Sequence, residues 1–591
     1  MANTPQPALS STPPRPRQWL GGVGVLLLFL ALAVAQTWGY FEGWSSTTRV
    51  RDWVVYQAAL ETTRQSVREY REVPAWDPWR CGGAPHLANP FVDALSPWGA
   101  LVLLLDVAPT VRLNVLVHLL AAMLGMWWWA RRRGLDVVPA LAAALAFGLS
   151  GFFIAATSWG FAFLLPAAYL PLVLAGYEAG RERWTGALPA AAAVALMLLE
   201  GGLGVAQASL FLLSLLVLID LRQHAQPRLL ILRSASVVVV GALVLAAVKW
   251  WPMALHLQQA AMAPLQSDTL TLTQLVEIFL GRDLGHRAPG FRLERFEYFG
   301  YMGPLVVAAV AWGLWHVREP GFWRIYVLAG LWTLLVLGNQ GPWLPYAWLG
   351  HLPWLHAMLS APSRLAVMLG ALWALVFGLV LQRALVALRA RWPGRPWQAV
   401  LALVPLLLVG DQLWLAQRAW RVHPFAGDAI ARERGPFHLV DGDRPSQLAN
   451  QRQNKGTIRC YELMPVSPSK VLRRGVQSQA WLEPASAGQL EVERQSPNRW
   501  ILDVKLGAAA RVLVNQNAAP GWSVEGELPA TLHSVDGVLA LDLPAGQGRL
   551  TLHYRTPGLL PAALLSALAW LALLIGILRA GWRRHRVAHP Y

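Results

Sequence analysis

The sequence predicts a polytopic α-helical membrane protein with about twelve spans and a small β-sandwich before the last span. Three observations predict this class. Only 14% of the 591 residues are charged and 55% are hydrophobic, whereas a soluble domain carries roughly a quarter charged residues. Apolar stretches of roughly 18 or more residues recur, which is the length that crosses ~30 Å of hydrocarbon. The chain is also too apolar and too rich in Trp, with 31 of them, to be disordered.

The net charge of +17 comes from 50 Lys and Arg against 33 Asp and Glu. Such an excess suits nucleic-acid binding, but the basic residues cluster beside the ends of apolar stretches, as at 131–133, 389–395 and 583–586. Short loops rich in Arg or Lys stay in the cytoplasm. The clusters therefore predict an orientation with both termini cytoplasmic, and they predict no nucleic-acid partner.

The chain divides into a tail, a membrane bundle, an outer insert and a final span. Residues 1–18 are predicted to be a disordered cytoplasmic tail. The transmembrane bundle is predicted over 19–414, with outer loops at 39–108, 251–298 and 339–363. Predicted spans lie at about 19–38, 111–129, 137–155, 162–178, 187–200, 203–220, 232–250, 301–316, 324–338, 364–382, 398–414 and 559–578. Residues 33–35 resemble a signal-peptidase site, which leaves cleavage of the first span open.

An extracytoplasmic domain is predicted over 415–556, before the last span and basic tail at 557–591. Its end alternates polar and apolar residues between Pro, Gly, Asn and Asp turns, which predicts a β-sandwich at about 486–556. The predicted strands lie at 489–494, 500–506, 511–515, 522–525, 531–535, 538–543 and 549–555. Cys81 and Cys460, the two cysteines of the chain, both fall outside the cytoplasm, so one disulfide between them is left open.

Motifs of soluble catalysis are missing from the sequence. It has no phosphate-cradling Gly-rich loop and no dinucleotide fingerprint, and no His-Glu-x-x-His or Cys-x-x-Cys metal motif. We therefore expect any substrate to be reached at or outside the membrane. No metal ligands are predicted and no cofactor is implied, while a divalent metal is left open.

The first outer loop carries the leading catalytic candidate. Apolar residues recur between Trp53 and Tyr70 at spacings near three, four and seven, which predicts an amphipathic helix lying in the headgroup region. Asp52 stands at the start of this helix. One interpretation is an N-cap, which Asp favours; the other is a general base at the level of the lipid headgroups.

The turn-rich stretch after this helix can form a rigid lid over the bundle, and it also resembles the corresponding loop of the YfhO-like family of bacterial membrane proteins. The segments that carry the resemblance are, in chain order, Trp76-Asp77-Pro78 with Gly82-Gly83-Ala84-Pro85, Ser150-Gly151-Phe152, Tyr169-Leu170-Pro171-Leu172, Glu200-Gly201-Gly202 with Gln207, Tyr298-Phe299-Gly300-Tyr301, Pro362-Ser363-Arg364 and Pro520-Gly521-Trp522. Their order along nearly the whole chain carries the resemblance, rather than any single motif.

The resemblance implies a GT-C-like glycosyltransferase in the bacterial cytoplasmic membrane. Such an enzyme takes a hexosyl or pentosyl group from a polyprenyl-phosphate carrier and passes it to a lipid, glycan or protein acceptor at the outer face. Asp52 is the position that matches the catalytic Asp of the first outer loop. Nearby cations would stabilise the leaving phosphate.

Further residues are candidates for substrate binding. The cations are Lys249, Arg364 and the loop residues Arg282, Arg287, Arg292 and Arg295, for which snorkelling toward headgroups is the alternative interpretation. The others are Asp77, His86, Glu200 and Gln207, of which Glu200 is a carboxylate at the end of a span. The turn at 157–160 departs from the family because it has no titratable side chain, which leaves a second catalytic residue unassigned.

Two other functions stay open. A transporter or flippase of a lipid-linked glycan would carry broken helices and charges near the midplane, whereas the unusual polar residues here crowd the outer loops. A non-catalytic scaffold for envelope assembly is the other alternative, because a fold does not fix a function.

Overall fold

Helices make up most of the described residues up to 422, and short strands dominate the described segment before the last helix. The computed structural model describes residues 16–41, 51–223, 226–258, 268–283, 291, 293, 295–316, 320–359, 361–422, 430–433, 435–442, 446–460, 466 and 468–588. Within them the helices are α1 (Pro16–Gln36), α2 (Arg51–Arg68), α3 (Val107–Arg132), α4 (Val137–Gly148), α5 (Gly151–Trp159), α6 (Leu170–Glu182), α7 (Leu188–Leu199), α8 (Leu203–Gln223), α9 (Arg228–Leu245), α10 (Ala247–Leu257), α11 (Leu272–Leu280), α12 (Pro304–His316), α13 (Pro320–Val336), α14 (Pro345–Leu349), α15 (His356–Leu359), α16 (Ala366–Arg391), α17 (Trp397–Leu401), α18 (Leu403–Val422), α19 (Gln447–Arg452) and α20 (Leu559–Ala588). The strands are β1 (Trp76–Asp77), β2 (Ala84–Pro85), β3 (His438–Val440), β4 (Lys455–Thr457), β5 (Ala480–Glu483), β6 (Gly488–Gln495), β7 (Arg499–Leu506), β8 (Ala510–Asn517), β9 (Trp522–Gly526), β10 (Thr531–Val535), β11 (Val538–Leu543) and β12 (Gly546–Tyr554).

The apolar helices make this a multi-pass membrane protein. Eight helical stretches in the described part of the chain are long and apolar enough to cross a bilayer: Val107–Arg132, Val137–Trp159, Ala162–Glu182, Leu203–Gln223, Arg228–Leu245, Pro362–Arg391, Trp397–Trp420 and Leu559–Arg579. Four shorter apolar helices lie at Gly22–Gln36, Trp184–Leu199, Pro304–His316 and Phe322–Val336. The prediction of a polytopic helical membrane protein is confirmed. Twelve crossings stay a prediction, because helices of 10–17 residues fall short of the roughly 20 residues that a span needs.

Small residues let the helices of the bundle approach closely. Gly176 on α6 packs on α7, where a methyl group in place of its hydrogen would lie 2.7 Å from Ala190 Cβ. Gly378 on α16 packs on α4 in the same way, 2.9 Å from Ala143 Cβ. Such contacts are typical of membrane helices, where close van der Waals packing replaces the hydrophobic driving force of water.

Two four-stranded antiparallel sheets follow the membrane bundle. Their strand orders are β10-β11-β8-β5 and β6-β7-β12-β9. We call these two sheets together the two-sheet unit. Leu502 and Leu550 from one sheet and Val512 and Leu541 from the other are all fully buried in one hydrophobic cluster. Strands β6–β12 overlap the seven segments in which alternation predicts strands, although β8 and β11 are buried on both faces.

The first outer loop is built into this core, a placement that the interpretation of a rigid lid over the bundle did not include. Trp76 is fully buried in the cluster of the two-sheet unit, and its Nε1 donates to Gln516 Oε1 at 2.8 Å. Asn517 Nδ2 donates to the carbonyls of Cys81 at 2.7 Å and Gly83 at 2.9 Å. Gly83 has a φ of +103°, and a Cβ there would lie 2.3 Å from Gln516 Oε1. Only glycine fits this close approach without strain.

A disulfide fixes the same loop to the insert. Cys81 pairs with Cys460, with 5.1 Å between their Cα atoms and 379 positions between them in sequence. The sequence left this pairing open. The structure makes one connected body of the loop and the insert.

Helix α2 does not lie on the membrane surface, so the prediction of an interfacial amphipathic helix is wrong. Every residue from 52 to 63 is buried, because the insert covers the face that carries polar residues. Glu61 on that face is 0% exposed and accepts from Arg432 Nε at 2.9 Å and Arg452 Nε at 3.0 Å. Both arginines also contact Asp106, at 2.7 and 3.2 Å. Two carboxylates and two guanidinium groups therefore compensate each other where the insert meets α2 and the start of α3.

Candidate active site

A cavity of about 340 Å³ lies where α2, the turn-rich loop and the turn after α5 meet. This volume counts all the empty space and includes open solvent; the part that admits the centre of a water-sized sphere is about 20 Å³, which is room for about one water molecule. Its lining is polar on one side and apolar on the other. The lining residues are Asp52, Val55, Tyr56, Ala59, Arg80, Asn89, Phe91, Val92, Gly160, Ala162 and Phe163.

Asp52 is held at this wall by the residue that follows it. It is the second residue of α2, not its N-cap, and its side chain is 6% exposed. Trp53 Nε1 donates to Thr157 O at 2.8 Å, which fixes the first turn of the helix against α5. Gly160 follows with a φ of +91°, and a Cβ there would lie 2.3 Å from Trp53 N. The turn at 157–160, which has no titratable group, therefore positions Asp52 through its backbone.

Arg80 brings a positive charge to the same cavity. Its side chain is 2% exposed, and its Nε lies 3.6 Å from Asp77 Oδ2. Asp77 does not line the cavity; it accepts from Thr62 Oγ1 at 2.9 Å and from Trp79 N at 3.1 Å. Burial raises the pKa of Asp77, and the charge of Arg80 opposes that rise. Asp77 thus orients the loop and Arg80, and it does not face the cavity.

His86 is buried behind the loop. Its Nε2 lies 3.0 Å from Thr63 Oγ1, and its Nδ1 lies 3.8 Å from Asp77 Oδ2. Burial, together with the charges of Arg80 and Lys249, lowers the pKa of His86 well below its usual value. The imidazole is therefore neutral at pH 7, and it connects α2 to the loop.

The floor of the cavity is a buried hydrogen-bonded chain. Tyr56, one turn after Asp52, donates its hydroxyl to Asp93 Oδ2 at 2.5 Å and accepts from Asn114 Nδ2 at 2.5 Å. Burial raises the pKa of Asp93 to about 6, with a further rise from Glu200 and an opposing hydrogen bond from Tyr56. Asp93 therefore keeps a proton to a higher pH than a solvent-exposed Asp.

Glu200 and Lys249 lie beside this floor but not in the cavity lining. Glu200 is 4% exposed; it contacts His118 Nε2 at 2.5 Å and accepts from Tyr169 OH at 2.9 Å. Lys249 Nζ donates to three loop carbonyls, those of Leu87 at 3.4 Å, Asn89 at 2.6 Å and Val92 at 2.6 Å. An ammonium has three donors, so Lys249 is fully used in holding the cavity wall.

Gln207 and Arg282 contact structural partners away from the cavity. Gln207 donates to Trp354 O and accepts from Met358 N at 3.1 Å, which ties α8 to the segment before α16. Arg282 donates to Tyr301 OH at 2.7 Å and Asp411 Oδ1 at 2.6 Å. Arg287, Arg292 and the side chain of Arg295 lie outside the described residues.

Arg364 is the predicted cation that comes near the cavity. Its guanidinium carbon lies 5.5 Å from the ring centre of Phe163, a lining residue, and 5.7 Å from that of Phe161. Its Nη2 lies 2.7 Å from Glu297 Oε2. With its side chain 25% exposed, Arg364 remains accessible next to the apolar side of the cavity.

Sequence reasoning missed Arg80 and Tyr56 as cavity residues, and Asp93 as the buried partner of Tyr56. Arg80 is the one basic residue of the stretch from 76 to 90, which is a signal that could have been used. Tyr56 shares a helix face with Asp52 through i, i+4 spacing. Asp93 gave no signal, because its neighbour Glu200 is distant in sequence. No cluster of three or more His, Cys, Asp or Glu able to hold a metal occurs among the described residues.

Comparison with known proteins gives a distant structural similarity. No family model matches the chain, and no curated protein matches it, so the YfhO-like resemblance stays a prediction. Two solved structures are similar over 91% of this chain at 16% identity: the arabinofuranosyltransferase AftD from Mycobacteria, with a TM-score of 0.47, and a mutant of it, with 0.45. The chain covers 40% and 42% of those two chains, less than half of their length. Similarity at this level does not by itself assign a reaction.

Proposed function

We propose that this protein is a GT-C-type membrane glycosyltransferase that moves a sugar from a polyprenyl-phosphate carrier to an acceptor at the outer face of the membrane. The observation that carries the proposal is the cavity that Asp52 and Arg80 share. A buried carboxylate and a buried guanidinium at one small pocket provide a base and an anion-stabilising group. The apolar wall of Phe91 and Phe163 suits the carbon face of a sugar or the start of a prenyl chain.

In the proposed reaction, Asp52 takes the proton of the acceptor hydroxyl. The acceptor oxygen forms a bond to the anomeric carbon as the bond from that carbon to the phosphate oxygen breaks. Polyprenyl phosphate leaves with the bonding electrons, and Arg80 stabilises its negative charge. The proton remains on Asp52 until it is passed to water. General base catalysis of this kind contributes typically 10²–10⁴-fold to the rate.

The other predicted substrate-binding residues receive different roles in this proposal. Arg364 assists the phosphate from the rim of the cavity. Asp77, His86, Glu200 and Lys249 position the loop and floor that form the cavity. Gln207 and Arg282 hold elements outside it.

We extend the proposal to the architecture and location. The four shorter apolar helices complete twelve crossings, so both termini are cytoplasmic, and the outer side carries the cavity. The two-sheet unit is a β-sandwich that helps orient the acceptor. The membrane is the bacterial cytoplasmic membrane, and the chain is a YfhO-like protein.

The test replaces Asp52 with asparagine, which keeps the shape of the side chain and removes the base. In native membranes supplied with polyprenyl-phosphate hexoses and pentoses, we expect Asp52→Asn to lower the release of polyprenyl phosphate by roughly 10²–10⁴-fold. Glu69→Gln is the matched control, because Glu69 follows the same helix but pairs with Arg64 away from the cavity. Transfer by Asp52→Asn equal to that of the control would remove Asp52 from the mechanism. Glycan export without any sugar transfer by the unchanged protein would favour the flippase.

A further inference from the structure

Helix α11 joins the ends of two neighbouring apolar helices. At its start, Leu270 N donates to Leu337 O at 3.1 Å, directly after the end of α13. At its end, Phe279 O accepts from Met302 N at 3.0 Å, just before the start of α12. Nine residues of helix extend about 13 Å, and the two helices that α11 joins, α12 and α13, both pack on α16. Helix α11 therefore runs across the ends of the pair, not along them.

This short helix is well formed and exposes an apolar stripe. Thr271 Oγ1 accepts from Gln274 N at 3.1 Å and Gln274 Oε1 accepts from Thr271 N at 2.8 Å, a reciprocal cap. Leu272, Val276 and Leu280 are 62%, 45% and 38% exposed, and their spacing of four places them on one side. The side chains that face the protein are Leu275, Ile278 and Phe279.

The surface of the stripe continues into a lipid-facing surface. Helix α12 below it exposes Leu305 by 43% and Trp312 by 46%. An antiparallel bridge between Thr269 and Gly338 joins the start of α11 to the segment that follows α13. That segment exposes three tryptophans, Trp343, Trp348 and Trp354, each by 66%. Tryptophan at this density is typical of the boundary between headgroups and acyl chains.

We infer that α11 lies in the outer leaflet of the membrane with Leu272, Val276 and Leu280 in contact with acyl chains. The exposed tryptophans of the neighbouring segment, Trp343, Trp348 and Trp354, support this position, because tryptophan is typical of the boundary between headgroups and acyl chains. The partner of this surface is therefore lipid, since the stripe is continuous with helix faces that lipid already covers.

The test places a fluorescent label on α11 in vesicles of phosphatidylcholine and phosphatidylglycerol. In Val276→Cys, a label at the stripe should be quenched several-fold more by nitroxide-bearing lipid than by aqueous iodide. Thr273→Cys is the matched control, because residue 273 is exposed on the same helix beside the stripe, and its label should respond more to iodide. Equal iodide quenching at both positions overturns the inference. Disulfide cross-linking of two Val276→Cys chains overturns it as well, since a second copy would then cover the stripe.

A second measurement needs no substitution. A lipid-soluble diazirine photolysed in the same vesicles should label the peptide of α11 in the unchanged protein and spare strands β7 and β12. Labelling of α11 no stronger than that of these strands overturns the inference. Neither measurement depends on sugar transfer, so the proposed enzymatic function and the membrane position of α11 are tested independently.

Discussion

Arg80 supplies the positive charge at the wall of the cavity. Arg80→Gln keeps a long polar side chain but removes the charge, so the leaving phosphate loses its stabilising partner. Loss of one such group typically costs about 10²–10³-fold in kcat, and we expect a fall of this size in polyprenyl phosphate release. Arg80→Lys should recover part of the rate, because it restores the charge without the planar fork of donors.

The control for this prediction is Arg459→Gln. Arg459 stands beside Cys460 with a side chain 76% exposed, so its replacement tests the effect of losing a charge on the same outer body. Sugar transfer should stay at the level of the unchanged protein. Equal losses from Arg80→Gln and Arg459→Gln would mean that net charge matters and the position of Arg80 does not.

Asp93 makes stability depend on pH in an unusual direction. Burial raises its pKa to about 6, against about 3.9 in the unfolded chain. Between these values the folded chain holds a proton that the unfolded chain has lost, so this group's contribution to the free energy of unfolding falls as pH rises from about 4 to 6. Asp93→Asn has no proton to lose. As pH rises from about 4 to 6, the free energy of unfolding of Asp93→Asn should therefore increase relative to that of the unchanged protein, by up to about 3 kcal/mol.

Thermal unfolding in detergent at about pH 4 and pH 7 measures this prediction. The quantity that matters is the change with pH in the gap between the two melting temperatures, since any fixed effect of the substitution cancels. A gap that stays constant would show that Asp93 titrates normally. A gap that moves against the variant at pH 7 would show that its carboxylate is stabilised by a partner when charged.

Among single residues, the sequence predicted positions that follow from the spacing of neighbours along the chain, and not contacts between distant segments. Asp52 was chosen because it stands where the first span ends and a helix begins; it lines the cavity, and its catalytic role stays a prediction. The burial of Glu61 had no signal in the sequence, because its partners Arg432 and Arg452 are 371 and 391 positions away. A helical wheel has no information about such distant contacts. For the same reason, Lys249 was read as a phosphate ligand when its donors are used by the loop.

At the scale of elements, the disulfide is the strongest link between the turn-rich loop and the insert. Cys460→Ser opens a closed loop of several hundred residues, and we expect it to lower the free energy of unfolding by about 2–4 kcal/mol. Arg80 is adjacent to the bridge, so sugar transfer should fall too. A reductant added to the unchanged protein should produce the same two effects, measured by melting temperature and by polyprenyl phosphate release.

The double variant tests whether the bond, and not each thiol, is responsible. Since both serines break the same bridge, Cys81→Ser with Cys460→Ser should be no less stable than either single variant. Additive losses would contradict the prediction, because they would show that each side chain contributes through its own packing.

The sequence predicted helices and strands where hydrophobic residues recur at a regular spacing. It did not predict packing between segments that are distant in sequence. Strands β6–β12 were found because their sequences alternate polar and apolar residues between turn residues. The placement of Trp76 in their core was not found, since its partner Gln516 is 440 positions away. Helix α2 shows the same limit: its polar face suggested water, but the insert covers that face.

At the scale of the whole molecule, the distribution of positive charge predicts the orientation. The excess of basic residues lies beside span ends that the topology assigns to the cytoplasm, and the basic clusters include the end of the chain at 583–586. With an even number of crossings, reporters on both termini should be active only as cytoplasmic reporters. Alkaline phosphatase fused after residue 555, before α20, should be active instead, because that junction is outside.

Fusions at the termini and at the junction check each other. Green fluorescent protein should fluoresce at residue 591 and stay dark after residue 555. Fluorescence at both positions would show that α20 does not cross the membrane. An active phosphatase at the C-terminus would show an odd number of crossings and would place the termini on opposite sides.

The burial of the turn-rich loop within the two-sheet unit has a consequence for biosynthesis. Trp76 and Gly83 are made before the residues that hold them, Gln516 and Asn517, which lie 440 and 434 positions later in the chain. The pocket therefore takes its final form only after the distal strands have been translocated. A nascent chain halted before residue 517 lacks the contacts that Gln516 and Asn517 make with the loop of Arg80, so the loop is fixed only after these strands have been made.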